Sequence, residues 1–286
     1  MGPDPRRAHP RADDSGGVIP PRCVLSRRSL RRRVAEFSFG LAAQPPLVSR
    51  RWPPRPPDFV GIGAQRSGTS WWHSLVESHP DVHALGWPFK ELHFFDRFAD
   101  EPFTDADAQA YRARFKAPPG RIVGEWTPRY MYDAHTPALL HRVAPDARLL
   151  VLLRDPVARF RSGRAHGAAR GDVGEAARRD ALQRGLYGEQ LARVLAHYRR
   201  EQLLVLQFER CVASPGAELA RTFAFLGLAP FTPRQLTQPV NRSAGAPPPL
   251  AAAERAELVA FYTEDVAHLA AEFPEIDMGL WPEFAP

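Results

Sequence analysis

One short stretch narrows the folds open to this chain. Phe59-Val60-Gly61-Ile62-Gly63 is an unbroken apolar and glycine run of strand length. Gly68 to Ser78 follows, with Trp71, Trp72, Leu75 and Val76 at helical spacing, before Pro80 limits it. Between them lies Gly63-Ala64-Gln65-Arg66-Ser67-Gly68-Thr69-Ser70. A glycine-bounded loop that leads from a buried strand straight into a helix leaves backbone N–H groups unpaired at one spot. The positive end of the helix dipole stands behind them, and that arrangement binds phosphate. Gly63 and Gly68 have the spacing of the NTPase phosphate loop, but that pattern then requires Lys followed by Ser or Thr, and Thr69 occupies the Lys position. The positive charge comes earlier, at Arg66. Ordinary ATP or GTP hydrolysis is disfavoured, whereas anion binding is retained. A tight turn without a ligand would need glycine alone, not Arg66, Ser67, Thr69 and Ser70 as well.

The alternation continues along the chain. Ile122-Val123-Gly124 reads as a second strand, Leu149 to Leu153 as a third and Leu203 to Leu206 as a fourth. The third is apolar throughout, as a strand covered on both faces should be, and is expected at the centre of the sheet. Helical patterns cover Leu186 to Tyr198, Pro215 to Leu226 and Ala251 to Phe273, with a Pro-rich loop from Pro230 to Pro249. Strands alternating with helices predict a single α/β domain over residues 58–286, with a mostly parallel central sheet flanked by helices. Such sheets bind ligands beyond the carboxyl ends of their strands.

A second anion site is expected at Arg154-Asp155-Pro156-Val157-Ala158-Arg159-Phe160-Arg161-Ser162. Arg154 ends the most apolar strand, and Pro156 suits the first turn of the next helix. Arg154 and Ser162 have a spacing that lets them converge on one anion, the first by a forked contact and the second by its hydroxyl. A structural ion pair of Arg154 with Asp155 or another carboxylate is the alternative.

Charge is distributed unevenly. Residues 1–58 hold twelve Arg, no Lys, four Asp and one Glu, a net +7, so the other 228 residues carry −1 of the chain's total of +6. The basicity therefore belongs to the leader over residues 1–57, which is also Pro-rich, has little apolar periodicity and is expected to lack a packed core. No nucleic-acid partner is expected of the folded body. Two cysteines, Cys23 and Cys211, exclude a disulfide framework and a four-thiolate zinc site. No HExxH spacing or His/Cys cluster suggests a metal. The apolar runs fall far short of the ~20 residues of a membrane helix, and the leader lacks the apolar stretch of a signal peptide. A cytoplasmic location is the expectation from these absences.

Taken together, the two anion-binding segments resemble the sulfotransferases that use 3′-phosphoadenosine-5′-phosphosulfate (PAPS). Gly63 to Ser70 is similar to that family's 5′-phosphosulfate loop, and Arg154 and Ser162 match the residues that hold the 3′-phosphate. Lys90-Glu91-Leu92-His93-Phe94-Phe95-Asp96 is similar to the segment of the heparan sulfate branch that carries the catalytic carboxylate. Gly124-Glu125-Trp126-Thr127-Pro128-Arg129-Tyr130 and Leu203 to Glu209 resemble further segments of the family and its bacterial members. The resemblance runs in order from Asp58 to Gly227.

It implies a P-loop-like fold and in-line transfer of a sulfuryl group to a hydroxyl or amine of a carbohydrate or small-metabolite acceptor, without a metal. Positioning and electrostatics dominate such a displacement. Glu91 is then the candidate base. His93 lies on the same face if the stretch is extended, where it would orient the acceptor or share its proton, and Asp96 would fix His93. Arg66 would stabilise the leaving phosphate, and because arginine is never neutral it would not donate a proton. Arg66, Ser67, Gly68, Thr69, Ser70, Arg154 and Ser162 are the candidate nucleotide ligands, with Tyr187 and Arg242 ranked behind them. Trp126 replaces the lysine of the heparan sulfate branch, which argues against a densely sulfated polysaccharide. Stacking on an acceptor, lining the nucleotide pocket and packing in the core are all open to it. A nucleotide kinase on a similar fold and a basic adaptor acting through the leader are the competing readings.

Overall fold

The computed structural model describes residues 52–86, 90–236 and 249–285. Its elements in chain order are β1 (Phe59–Gly63), α1 (Thr69–Glu77), α2 (Asp105–Arg112), β2 (Gly124–Trp126), α3 (Thr136–Val143), β3 (Arg148–Leu153), α4 (Pro156–Ala168), α5 (Glu175–Gln183), α6 (Tyr187–Leu195), β4 (Leu203–Gln207), α7 (Phe208–Ala213), α8 (Pro215–Leu226) and α9 (Ala252–Glu272). The strands form one sheet in the order β2-β1-β3-β4, and every neighbouring pair is parallel. The expected α/β class, with its parallel sheet and flanking helices, is what is observed.

Side chains alternate across the sheet, so each strand feeds two cores. Val60, Ile62, Leu149, Val151, Leu153 and Val205 join Tyr111, Leu140, Tyr187, Leu191 and Tyr262 of α2, α3, α6 and α9. Phe59, Leu150, Leu152 and Leu206 join Trp72, Leu75, Leu219 and Phe223 of α1 and α8 on the opposite face. Covering both faces explains why β3 carries no polar residue after Arg148. The chain leaves β1 for one edge and later returns to β3, on the other side of β1. The carboxyl ends of β1 and β3 therefore flank the topological switch point, where open parallel sheets bind ligands.

The second strand begins later than the apolar run suggested. Ile122 forms only an isolated bridge with Val82, and Val123 donates its N–H to Asp58 Oδ2 at 2.7 Å. Pairing with β1 starts at Gly124 and runs through Glu125 and Trp126. A glutamate in a fully buried strand conceals the pattern. The short helices α2, α3, α5 and α7 were not anticipated, although Thr104 and Asp107 of α2 form a capping box that is readable as Thr-x-x-Asp. No helix among the described residues is long and apolar enough to cross a membrane.

Trp126 lies against the backbone of β1. A Cβ at Gly61 would sit 2.0 Å from Trp126 Cδ2, and the indole donates its N–H to the Gly63 carbonyl at 3.1 Å. Gly61→Ala is expected to destabilise the fold by about 1–3 kcal/mol through overpacking, read from the shift in a urea unfolding curve. An unchanged midpoint would mean that the indole can retreat.

Candidate active site

The loop after β1 is tied to β3 by the Ala64 N–H, which donates to the Leu152 carbonyl at 3.0 Å. It then turns through two residues of positive φ, Arg66 at 70° and Gly68 at 87°. Glycine is required at 68 twice over, because a Cβ there would also lie 2.7 Å from the Phe208 ring. Gly68 starts α1 without a side-chain cap. Ser67 is buried, and among the described residues its hydroxyl has no hydrogen-bond partner. A buried hydroxyl without a described partner and a helix start without a side-chain cap are features suited to binding an anion.

The second anion segment meets the first. Arg66 Nε donates to Ser162 Oγ at 3.2 Å, and Arg154 Nη1 donates to the Arg66 carbonyl at 3.4 Å. The Arg154 guanidinium stacks on Phe208, 5.0 Å from the ring centroid. Its backbone carbonyl accepts from the buried Tyr187 hydroxyl at 2.9 Å. Asp155 is spent on capping α4, accepting from the Ala158 N–H at 2.7 Å, while its own N–H is held by Glu209 Oε1 at 3.0 Å. Burial and the charge of Arg154 both push the Arg66 guanidinium down, and burial does the same to Arg154. Two partly desolvated cations side by side are suited to binding an anion.

The Glu91 segment reaches the same end of the sheet by hanging on β2. The Trp126 N–H donates to the Lys90 carbonyl at 2.8 Å. In return, the Leu92 N–H donates to Glu125 Oε2 at 3.3 Å, the His93 N–H to Thr127 Oγ1 at 3.4 Å and the Phe94 N–H to the Tyr130 hydroxyl at 3.0 Å. The segment is a turn, so the condition of an extended stretch is not met, and His93 adopts a positive φ of 49°. Glu91 and His93 nevertheless meet, because the turn folds their side chains together: His93 Nε2 lies 3.3 Å from Glu91 Oε2. On its other side, His93 Nδ1 lies 2.9 Å from Asp96 Oδ2, and Asp96 is 3.6 Å from Arg129 Nε. Lys90 Nζ closes the row, 2.6 Å from Glu91 Oε1 and 3.4 Å from Thr69 Oγ1 of the phosphate loop.

This row of alternating charges sets the protonation states. Burial pushes the Glu91 carboxyl up, but the hydrogen bond from His93 and the charge and hydrogen bond of Lys90 prevail and hold it at about 2. Hydrogen bonds to Asp96 and Glu91 push His93 up to about 9, against its burial. At neutral pH the imidazolium thus has both ring N–H groups committed, and Glu91 is the group able to accept a proton.

Sequence reasoning overlooked three supports. Glu125, wholly buried and pushed up to about 7 by burial, accepts from Tyr111 at 3.0 Å and Thr127 at 2.5 Å as well as from Leu92. Glu209, between Asp155 and Trp281 Nε1, fixes the turn after β3. Lys90 joins the two halves of the site. An isolated carboxylate in an apolar run was the available signal for Glu125. Trp126 packs in the core, the bland one of its three options. Ser70 sits in the first turn of α1, and Arg242 lies outside the described residues. Among the described residues no group of His, Cys, Asp or Glu is arranged to hold a metal ion.

Residues 56–244 match the family model described as the sulfotransferase domain. The chain belongs to this family. Among curated relatives, the human heparan sulfate glucosamine 3-O-sulfotransferase 6 is 31% identical over 202 residues, covering 64% of this chain and 56% of that protein. The human heparan sulfate glucosamine 3-O-sulfotransferase 3B1 is 32% identical over 190 residues, covering 60% and 46%. This sulfotransferase-family chain thus spans about half the length of those relatives. The crystal structure of a sulfotransferase from Alicyclobacillus acidocaldarius is similar with a TM-score of 0.64 and 27% identity, covering 79% of this chain and 98% of that one. The family generally uses PAPS, and the residues present are compatible with it: a buried Ser67 hydroxyl with no hydrogen-bond partner among the described residues, an uncapped helix start and two converging arginines.

Because His93 is held above its ordinary value, its ion pairs contribute stability fully below about pH 6.5, and this contribution is lost as the pH rises through about 9. The gap in melting temperature between the parent protein and His93→Ala is therefore expected to be widest near pH 6 and to shrink towards pH 10. A gap independent of pH in thermal unfolding would contradict this charge state.

Proposed function

We propose that this chain transfers the sulfuryl group of PAPS to a hydroxyl, or less favourably an amine, of a carbohydrate or small-metabolite acceptor. The observation that carries the proposal is the meeting of three segments at one end of the sheet: the loop with Arg66, the strand end with Arg154 and the β2-hung turn with Glu91. The names of the curated relatives support a sugar hydroxyl as the acceptor group. A phosphoryl transferase has less support, because Thr69 follows Gly68 where that chemistry needs lysine.

PAPS, when bound, supplies an activated sulfuryl group on a phosphate leaving group. Arg154 and Ser162 would hold its 3′-phosphate, with Tyr187 acting behind them by fixing the Arg154 backbone. The amides of Ser67 to Ser70 and the Arg66 guanidinium would hold the 5′ end, where a placed cation faces the charge that develops on departure. Glu91 receives the acceptor's proton on a carboxylate oxygen. His93, already a cation bridging Glu91 and Asp96, fixes that carboxylate and has no free site to take the proton itself. Since Trp126 is in the core, it supplies no cation facing the acceptor; Arg129, half-exposed beside Asp96 and Asp133, is the cation at the far end of the row from Lys90.

The direct test is transfer of labelled sulfate from PAPS to a panel of glycans, phenols and lipids, read by mass shift; no product with any member would sink the proposal. Glu91→Gln is expected to abolish transfer while leaving affinity for 3′,5′-ADP nearly intact, and normal turnover would remove Glu91 from its role. Arg154→Ala should weaken 3′,5′-ADP binding by about 1.5–3 kcal/mol, the range of a hydrogen bond to a charged group. The parent protein should also prefer 3′,5′-ADP to AMP in calorimetry, and equal affinity for the two would refute a 3′-phosphate site.

A further inference from the structure

Lys90 occupies an unusual position. Its ammonium is the one link between the phosphate loop and the Glu91 row in the described structure, 3.4 Å from Thr69 Oγ1 and 2.6 Å from Glu91 Oε1. The side chain is only 10% exposed, and its backbone is fastened to β2 through the Trp126 N–H. From α1, His73 faces it; burial and then the Lys90 charge hold this imidazole at about 3, so it is neutral. Glu77, one turn further along α1, is 3.5 Å from His73 Nδ1, and its carboxyl is raised by burial, with Lys90 opposing. His93 and Asp96 stand on the far side of Glu91. Glu91 is therefore the anion in direct contact with the ammonium, and Thr69 is its other contact.

The arrangement poses a problem for a base. One carboxylate oxygen of Glu91 is taken by His93 and the other by Lys90, and a carboxylate held at about 2 is far from the value at which proton abstraction is efficient near neutrality. The contact to Thr69 offers the release. Thr69 fills the place where the NTPase pattern puts its phosphate-binding lysine, and Lys90 brings an ammonium to the same spot from across the loop. An anion seated in the loop competes with Glu91 for that ammonium, and the charge is then drawn towards the anion.

We propose that Lys90 is a positioning residue that couples donor occupancy to the readiness of the base: without donor its ammonium locks Glu91, and the 5′ end of a bound donor draws the ammonium off, freeing one carboxylate oxygen for the acceptor hydroxyl. No covalent bond changes in this step. The inference rests on the PAPS reading above and adds an order of events to it, in which the base becomes competent only once the donor is seated.

The test combines crystallography of the full chain, with and without 3′,5′-ADP, and calorimetry of two variants. With nucleotide bound, Lys90 Nζ should lie within about 3 Å of a 5′-phosphate oxygen and more than about 4 Å from Glu91 Oε1. Lys90→Met should weaken 3′,5′-ADP binding about tenfold, the loss of one charge-assisted hydrogen bond, and Lys90→Arg, which keeps the charge, should restore it to within about threefold. A nucleotide-bound structure with Nζ still on Glu91 overturns the coupling. So does parental affinity in Lys90→Met, or a Lys90→Arg variant that binds no better than Lys90→Met. Failure of the parent protein to bind 3′,5′-ADP at all would instead remove the donor reading and the coupling with it.

Discussion

The parallel pairing of β1 with β3 is the constraint on which the site depends. These inner strands end side by side, and the bond from the Ala64 N–H to the Leu152 carbonyl carries the pairing one residue past β1. A slip of one residue would move each side chain into the opposite core, and it would also part Arg66 from Arg154. Two large apolar cores, one on each side of the sheet, therefore also hold two like charges together. Packing free energy offsets the repulsion between them, and the nearby charges of Glu209 and Asp155 moderate it at Arg154.

The acidic half of the site is built differently. No regular element carries Glu91; its turn is suspended from β2 and the residues after it by one backbone carbonyl and three backbone N–H groups. The cost appears at Glu125, a wholly buried carboxyl pushed up to about 7 so that it can gather Tyr111, Thr127 and the Leu92 amide. Buried polar groups are tolerated when each is satisfied, and here the satisfaction of Glu125 is what gives the Glu91 turn its shape.

The two halves differ in how far they could be read in advance. The strand–loop–helix turn at Gly63 to Ser70, the strand end at Arg154 and the central strand were legible because each is local: a glycine spacing, a strand-terminal charge, an unbroken apolar run. The helices Pro215–Leu226 and Ala252–Glu272 were legible from their periodicity. β2 was displaced by two residues because the buried Glu125 breaks the apolar signal that its neighbours suggest. Glu91 and His93 were read as neighbours only if the stretch were extended, whereas their actual contact comes from a turn with a positive φ that no neighbouring glycine announces. Lys90 reaches Thr69, Glu125 reaches Leu92 and Tyr111, and Glu209 reaches Asp155 and Trp281 across distant stretches of sequence, and local pattern carries no trace of those contacts.

The suspension of the Glu91 turn from β2 has a consequence for motion. β2 is three residues long and lies at the edge of the sheet, whereas β1 and β3 are paired on both sides. Local opening draws first on edges and on segments held by few backbone bonds. Residues 90–95 and 124–126 should therefore exchange their amide hydrogens ahead of the loop after β1 and the end of β3, so that the Glu91 turn can loosen while the Arg66 loop keeps its shape.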